Sequence, residues 1–145
     1  MIPFANSLHS GRRLFVVSVA ALFFAMTFGR TEEPLLRPDD LVAICGDSIT
    51  EQARYSVFIA TYLAACQEAK NVEAINFGRG GNTAHGFLGY QLTTHVFPFH
   101  PTVATLCYGM NDAVACTPEA YRGYMEQIVR TMKDAPVRTL SLIHI

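Results

Sequence analysis

Three short apolar runs, each closed by a glycine-containing polar cluster, constrain this chain more than any other feature. They are "LVAIC" before "GDSIT", "VEAINF" before "GRGGNT", and "TVATLCY" before "GMND". A short continuous apolar run suits a strand buried on both faces, and such strands belong to parallel sheets. Strands are read at 41–45, 72–77 and 102–108, with a fourth candidate, "VRTLSLI", from Val137. Helical patterns lie between them. Val57, Ala60, Tyr62, Leu63 and Ala64 predict a helix over about 53–68. A second is expected from Ala84 to about Thr94, although Gly86 and Gly89 weaken it by roughly 1 kcal/mol each relative to alanine. Thr117 offers an N-cap, Pro118 the first helical position and Glu119 a first-turn acid. The helix they announce carries Tyr121, Tyr124, Met125, Ile128, Val129 and Met132 on one broad face, up to Pro136. The expected fold class is α/β, a three-layer sandwich with a parallel sheet covered on both sides.

In such sheets ligands bind beyond the carboxyl ends of the strands, where the strand order reverses. All three polar clusters fall at that edge. Any one of them is readable as a turn, because Gly, Asp, Ser and Asn suit turns and helix caps; three at one edge point to a site. There is no Gly-x-x-x-x-Gly-Lys-Ser/Thr run and no acidic ribose-binding candidate after a Gly-x-Gly-x-x-Gly, so a nucleotide site is unsupported. Asp47 and Asp112 are placed to approach each other, but His85, His95 and His100 are spread over a helix and a loop, where surface or satisfied histidines are the default. No metal or other cofactor is implied. Acyl transfer, by contrast, needs a hydroxyl nucleophile and donors aimed at a developing oxyanion. Ser48 supplies the hydroxyl, the glycines supply exposed N–H groups, and Asn111 supplies a neutral side-chain donor.

The N-terminus bears on compartment. Arg12 and Arg13 precede 15 uncharged residues, Leu14 to Phe28, and Arg30 follows. That is the pattern of a signal peptide, shorter than the roughly 20 residues needed to span a bilayer. Residues 1–29 are therefore expected to be a removed leader, with a retained membrane anchor as the alternative, and the product to be periplasmic or extracellular. Residues 30–145 hold 9 basic and 12 acidic side chains, a mildly acidic balance with no basic block to suggest nucleic acid. Residues 30–40, with two prolines and four acids, read as an extended lead-in, and the domain proper as 41–145. Cys45, Cys66, Cys107 and Cys116 form no Cys-x-x-Cys pair; Cys45 and Cys107 lie in strand-like runs and read as buried free thiols rather than a disulfide or a nucleophile.

The three clusters in this order resemble the SGNH, or GDSL-type, hydrolase superfamily, particularly its small secreted bacterial esterases, over roughly residues 41–143. The resemblance implies a flavodoxin-like strand order and makes Ser48 the nucleophile. It matches the oxyanion glycine to Gly81, taking "GRGG" as a turn from Gly78 to Gly81 with Gly80 as the other register, and the third donor to Asn111, preceded by Gly109. Asp47 and Asp112 are then assigned to loop architecture through hydrogen bonds. The implied substrate is a small-molecule or carbohydrate ester, O-acetylated sugars included.

The departure from the pattern is equally specific. The family's last block, Asp-x-x-His, supplies the base and the residue orienting it, and this sequence contains no Asp-x-x-His. The late histidine is His144 in "SLIHI", ten residues after Asp134. The sequence is thus expected to be a C-terminally truncated member, with little activity because a serine without a base is a poor nucleophile. A lysophospholipase or thioesterase, with Phe87, Leu88, Tyr90, Phe97 and Phe99 as either core or acyl channel, and a non-catalytic carbohydrate-binding or structural remnant are the competing readings. Oligomeric state is not legible.

Overall fold

Parallel pairing organises residues 34–143, the part of the chain that the computed structural model describes. Strand β1 (Leu41–Gly46) lies between β2 (Glu73–Gly78) and β3 (Val103–Cys107), and β4 (Thr139–Leu142) pairs with β3 at the edge. The order β2-β1-β3-β4 is all parallel and flavodoxin-like. The chain steps from β1 to β2 on one side, then returns across β1 to β3, so the order reverses between β1 and β3. The register sets Gly46 opposite both Gly78 and Cys107, which levels the carboxyl ends of the three strands.

Alternation along β1 divides the core. Ala43 and Cys45 join Phe87, Leu92, Val96, Leu106, Ile128 and Met132 on one face. Val42 and Ile44 join Leu63, Val72 and Val103 on the other. Helix α1 (Ser48–Glu51) and α2 (Arg54–Ala65) follow β1; α3 (Ala84–Gly86), a π-helix (Phe87–Val96) and a 3₁₀ turn (Phe97–Phe99) follow β2; α4 (Asp112–Ala115) and α5 (Pro118–Asp134) follow β3. Fully burying side chains such as Phe87, Leu92, Ile128 and Met132 stabilises the fold by about 1.5–3 kcal/mol each.

Two of the expected helices take a different form. The one read over 53–68 begins at Arg54, because Ala53 adopts a left-handed φ of 58° and separates it from the short α1. The one read from Ala84 to Thr94 is α-helical for a single turn and then winds as a π-helix to Val96. Its buried positions pair Phe87 with Leu92 and Gln91 with Val96, each five apart, the repeat of an i→i+5 helix. Helix α5 starts as read: Thr117 Oγ1 accepts from Ala120 N at 3.3 Å, and Pro118 occupies the first turn.

At the opposite end of the sheet, Asp40 ties strand starts together. Its carboxylate accepts from Arg37 N at 2.6 Å, Thr102 Oγ1 at 2.7 Å and Arg138 Nη2 at 2.5 Å, while Arg138 Nη1 donates to the Leu35 carbonyl. The described part of the lead-in, 34–40, is therefore turned and clamped rather than simply extended, with Asp39 at φ 65°. All four cysteines are free, Cys45 and Cys107 buried. Beside edge strand β4, Tyr121, Met125, Val129 and Leu142 line an open apolar groove of about 680 Å³. No helix among the described residues is long and apolar enough to cross a membrane. The leader read at 1–29 and His144 lie outside the described residues.

Candidate active site

The residues of "GDSIT" are fixed by close packing at the end of β1. A Cβ on Gly46 would stand 2.0 Å from Thr50 Oγ1, so only glycine lets α1 fold back over the strand. Asp47, buried, caps α1 by accepting from Ile49 N at 3.0 Å. Ser48 then occupies the first helical position, half-buried. Beneath it, Thr50 Oγ1 and Tyr55 Oη share a hydrogen bond of 2.6 Å, and Asn76 Nδ2 donates to the Thr50 carbonyl at 2.7 Å.

The second cluster is pressed onto the first. Arg79 N donates to the Gly46 carbonyl at 3.0 Å. A Cβ on Gly78 would lie 2.2 Å from Glu51 N, and one on Gly80 2.6 Å from the Glu51 carboxylate. Asn82 N donates to the Arg79 carbonyl at 3.1 Å, closing a turn in which Gly81 takes φ 72°, the left-handed conformation that glycine adopts without a steric penalty. The third cluster is bonded to the second. Asn111 Nδ2 donates to the Asn82 carbonyl at 2.9 Å, and Asp112 Oδ1 accepts from Ala84 N at 2.9 Å. Gly109, at φ 137°, lets the chain leave β3 beneath Tyr121, whose hydroxyl donates to the Tyr108 carbonyl at 2.9 Å.

Ser48, Gly81 and Asn111 therefore belong to one hydrogen-bonded strand-end edge, at the point where the sheet order reverses. Asp47 and Asp112 both accept backbone N–H groups there. The buried Asp112 leaves Oδ2 without a protein partner, as does the neighbouring Tyr108 hydroxyl. Burial, with Asp47 and Asp112 adding to it, raises Tyr108 far above the ordinary tyrosine range; burial raises the Cys45 and Cys107 thiols as well. Raised in this way, both buried thiols are held toward their neutral, unreactive form. Among the described residues no histidine is hydrogen-bonded to Ser48: His85 packs on Tyr124, His95 bonds Thr94, and His100 sits exposed at φ 53°.

Sequence reasoning did not single out Gln91. It is buried in the π-helix, donates to the Phe77 carbonyl at 2.6 Å and accepts from Asn82 Nδ2 at 2.6 Å, so it pins the loop that carries Gly81. Asn82 stood in the "GRGGN" motif as a signal; Gln91 had none. Of the aromatics weighed as core or channel, Phe87 is buried and Phe97 packs against the core, whereas Tyr90 and Phe99 are exposed.

The chain belongs to the GDSL-like lipase/acylhydrolase family, whose profile matches residues 44–143 and so spans all three clusters. Among solved structures it is similar to an alpha/beta hydrolase enzyme from the metagenome of Lake Arreo, Spain, at 20% identity and a TM-score of 0.67, covering 74% of this chain and 61% of that one. It is likewise similar to an acetylxylan esterase from Geobacillus stearothermophilus, at 18% identity and a TM-score of 0.66, covering 74% of this chain and 60% of that one. A GDSL-like lipase assignment from Parabacteroides merdae stands at 23% identity, a TM-score of 0.66, and the same coverage of 74% and 60%. At these identities the likeness is one of fold, and the chain spans about three fifths of each matched structure's length. No curated protein sequence matches. The acetylxylan esterase has been solved as catalytic mutants with alanine replacing a serine, an aspartate and a histidine, the last two spaced as Asp-x-x-His.

Proposed function

We propose that this edge is the acyl-transfer site of a serine esterase acting on carboxylic esters, with O-acetyl groups on carbohydrate as the favoured substrate class. One observation carries the reading: the "GDS", "GRGG" and "GMND" clusters are hydrogen-bonded into a single edge at the switch point of the sheet. Ser48 Oγ attacks the acyl carbon as the carbonyl π electrons move onto oxygen. The resulting oxyanion is held by the N–H groups of Ser48 and Gly81 and by the Asn111 amide. One N–H of that amide anchors the loop through Asn82, and the other remains for the oxyanion. Each such donor is worth about 3 kcal/mol in the transition state. Collapse of the intermediate expels the alcohol and leaves the acyl group on Ser48.

Water takes the Ser48 proton and returns one to the departing alkoxide, since the 145 residues contain no Asp-x-x-His. General-base help is commonly worth roughly 10²- to 10⁴-fold, so acyl transfer by these residues alone is expected to be slow. The spacing of the acetylxylan esterase's catalytic aspartate and histidine supports the same division of labour, and its name supports the carbohydrate-ester class. The test is release of p-nitrophenolate from p-nitrophenyl acetate. A slow reaction removed by Ser48→Ala and weakened at least tenfold by Asn111→Ala is expected; a rate indifferent to Ser48→Ala rejects the reading.

A further inference from the structure

Beside the loop carrying Gly81 lies a second concavity, of about 250 Å³, lined by Arg79, Tyr90, Gln91 and His95. Arg79 is the first residue of the turn whose third residue is Gly81. A turn of this type holds its first and fourth Cα atoms within about 7 Å, so the arginine stands next to the oxyanion donor. Its guanidinium makes no hydrogen bond or ion pair among the described residues. Glu51, whose carboxylate stands over Gly80, neither pairs with it nor lines the concavity, and no other acid does.

The opposite wall comes from the π-helix. In an α-helix Tyr90 and His95 would point about 140° apart around the axis. The i→i+5 winding returns them to one side, with ring centroids 5.3 Å apart at 62°. His95 Nδ1 is engaged by Thr94 Oγ1 at 2.7 Å, which leaves Nε2 for other partners. Gln91 spends its amide on Phe77 and Asn82 and forms a fixed floor. Helical segments of this rare kind recur at functional sites, and this one builds a cationic, aromatic-walled pocket a turn away from the proposed chemistry.

The geometry points to a subsite for a carboxylate-bearing part of the substrate, as in an acylated sugar acid. Arg79 pairs with the carboxylate through its planar fork, and the Tyr90 and His95 rings pack against the carbon skeleton. The assignment rests on the esterase reading for where the reacting ester lies, but recognition of the anion does not require Ser48. Calorimetric titration of the full chain with D-glucuronate, against D-glucose as the neutral counterpart, tests it. Glucuronate is expected to bind the more tightly, to lose roughly tenfold or more in affinity in Arg79→Gln, to recover in part in Arg79→Lys, and to weaken as salt is raised. Tyr90→Ala, an exposed change on the other wall, is expected to weaken it several-fold. Equal binding of the two sugars, or glucuronate affinity unmoved by Arg79→Gln and Tyr90→Ala, overturns the subsite. Acetylation of Ser48 by p-nitrophenyl acetate is read in parallel: its absence beside intact glucuronate binding removes the esterase reading and leaves the subsite standing.

Discussion

Gly46 and Gly81 sit on the same edge for different physical reasons, and substitution separates them. Alanine at 46 would drive a Cβ to 2.0 Å from Thr50 Oγ1 and 2.9 Å from the Cys107 carbonyl. Overpacking of that kind costs about 1–3 kcal/mol, so urea unfolding of Gly46→Ala should show a loss in this range. Alanine at 81 meets nothing within 4 Å, and only the left-handed φ of 72° resists it. Gly81→Ala should therefore cost about 1 kcal/mol of stability yet slow acylation of Ser48 more than that loss implies. The strand-end positions of Ser48, Gly81 and Asn111 were legible because their clusters close apolar runs, and strand ends are visible in a one-dimensional pattern. Thr50, Asn76, Gln91 and Asp40 were not, because each acts through partners 5 to 98 positions away that only the folded sheet brings near.

Helix α5 and the π-helix mark the two extremes of what local sequence dictates. The start of α5 is written in Thr117, Pro118 and Glu119, and Thr117→Ala should cost about 1 kcal/mol by removing the acceptor for Ala120 N. The segment after β2 reads as an ordinary helix weakened by two glycines, whereas its winding is set by which side chains the core accepts: Phe87 with Leu92, Gln91 with Val96. Gly89 lies in that segment with open space around it: a methyl group added there would meet nothing within 4 Å, and its φ is not left-handed. Gly89→Ala should accordingly raise stability by up to about 1 kcal/mol, readable as a higher melting temperature, with the Tyr90 and His95 pair undisturbed.

At the scale of the whole molecule, the two ends of the sheet have separate tasks. The amino ends of the strands are locked by Asp40; burial opposes its ionised form, but the Arg37 N–H, the Thr102 hydroxyl and the Arg138 guanidinium outweigh that and lower its pKa. A depressed carboxylate contributes stability above its unfolded pKa of about 3.9 and loses it as the pH falls through the folded value. Arg138→Gln should cost about 1.5 kcal/mol at neutral pH and shrink the loss of stability below about pH 4. The carboxyl ends, by contrast, hold the three polar clusters, and the proposed function makes Ser48 the nucleophile there. Because p-nitrophenolate leaves far more readily than the Ser48 alkoxide, acylation should outpace deacylation, and prolonged exposure of the chain to p-nitrophenyl acetate should accumulate one acetyl group. Peptide mass spectrometry after digestion should place that group on Ser48, with none there in Ser48→Ala and less in Asn111→Ala. Acetylation confined to lysines or cysteines, with Ser48 unmodified, would show that Ser48 is not the nucleophile.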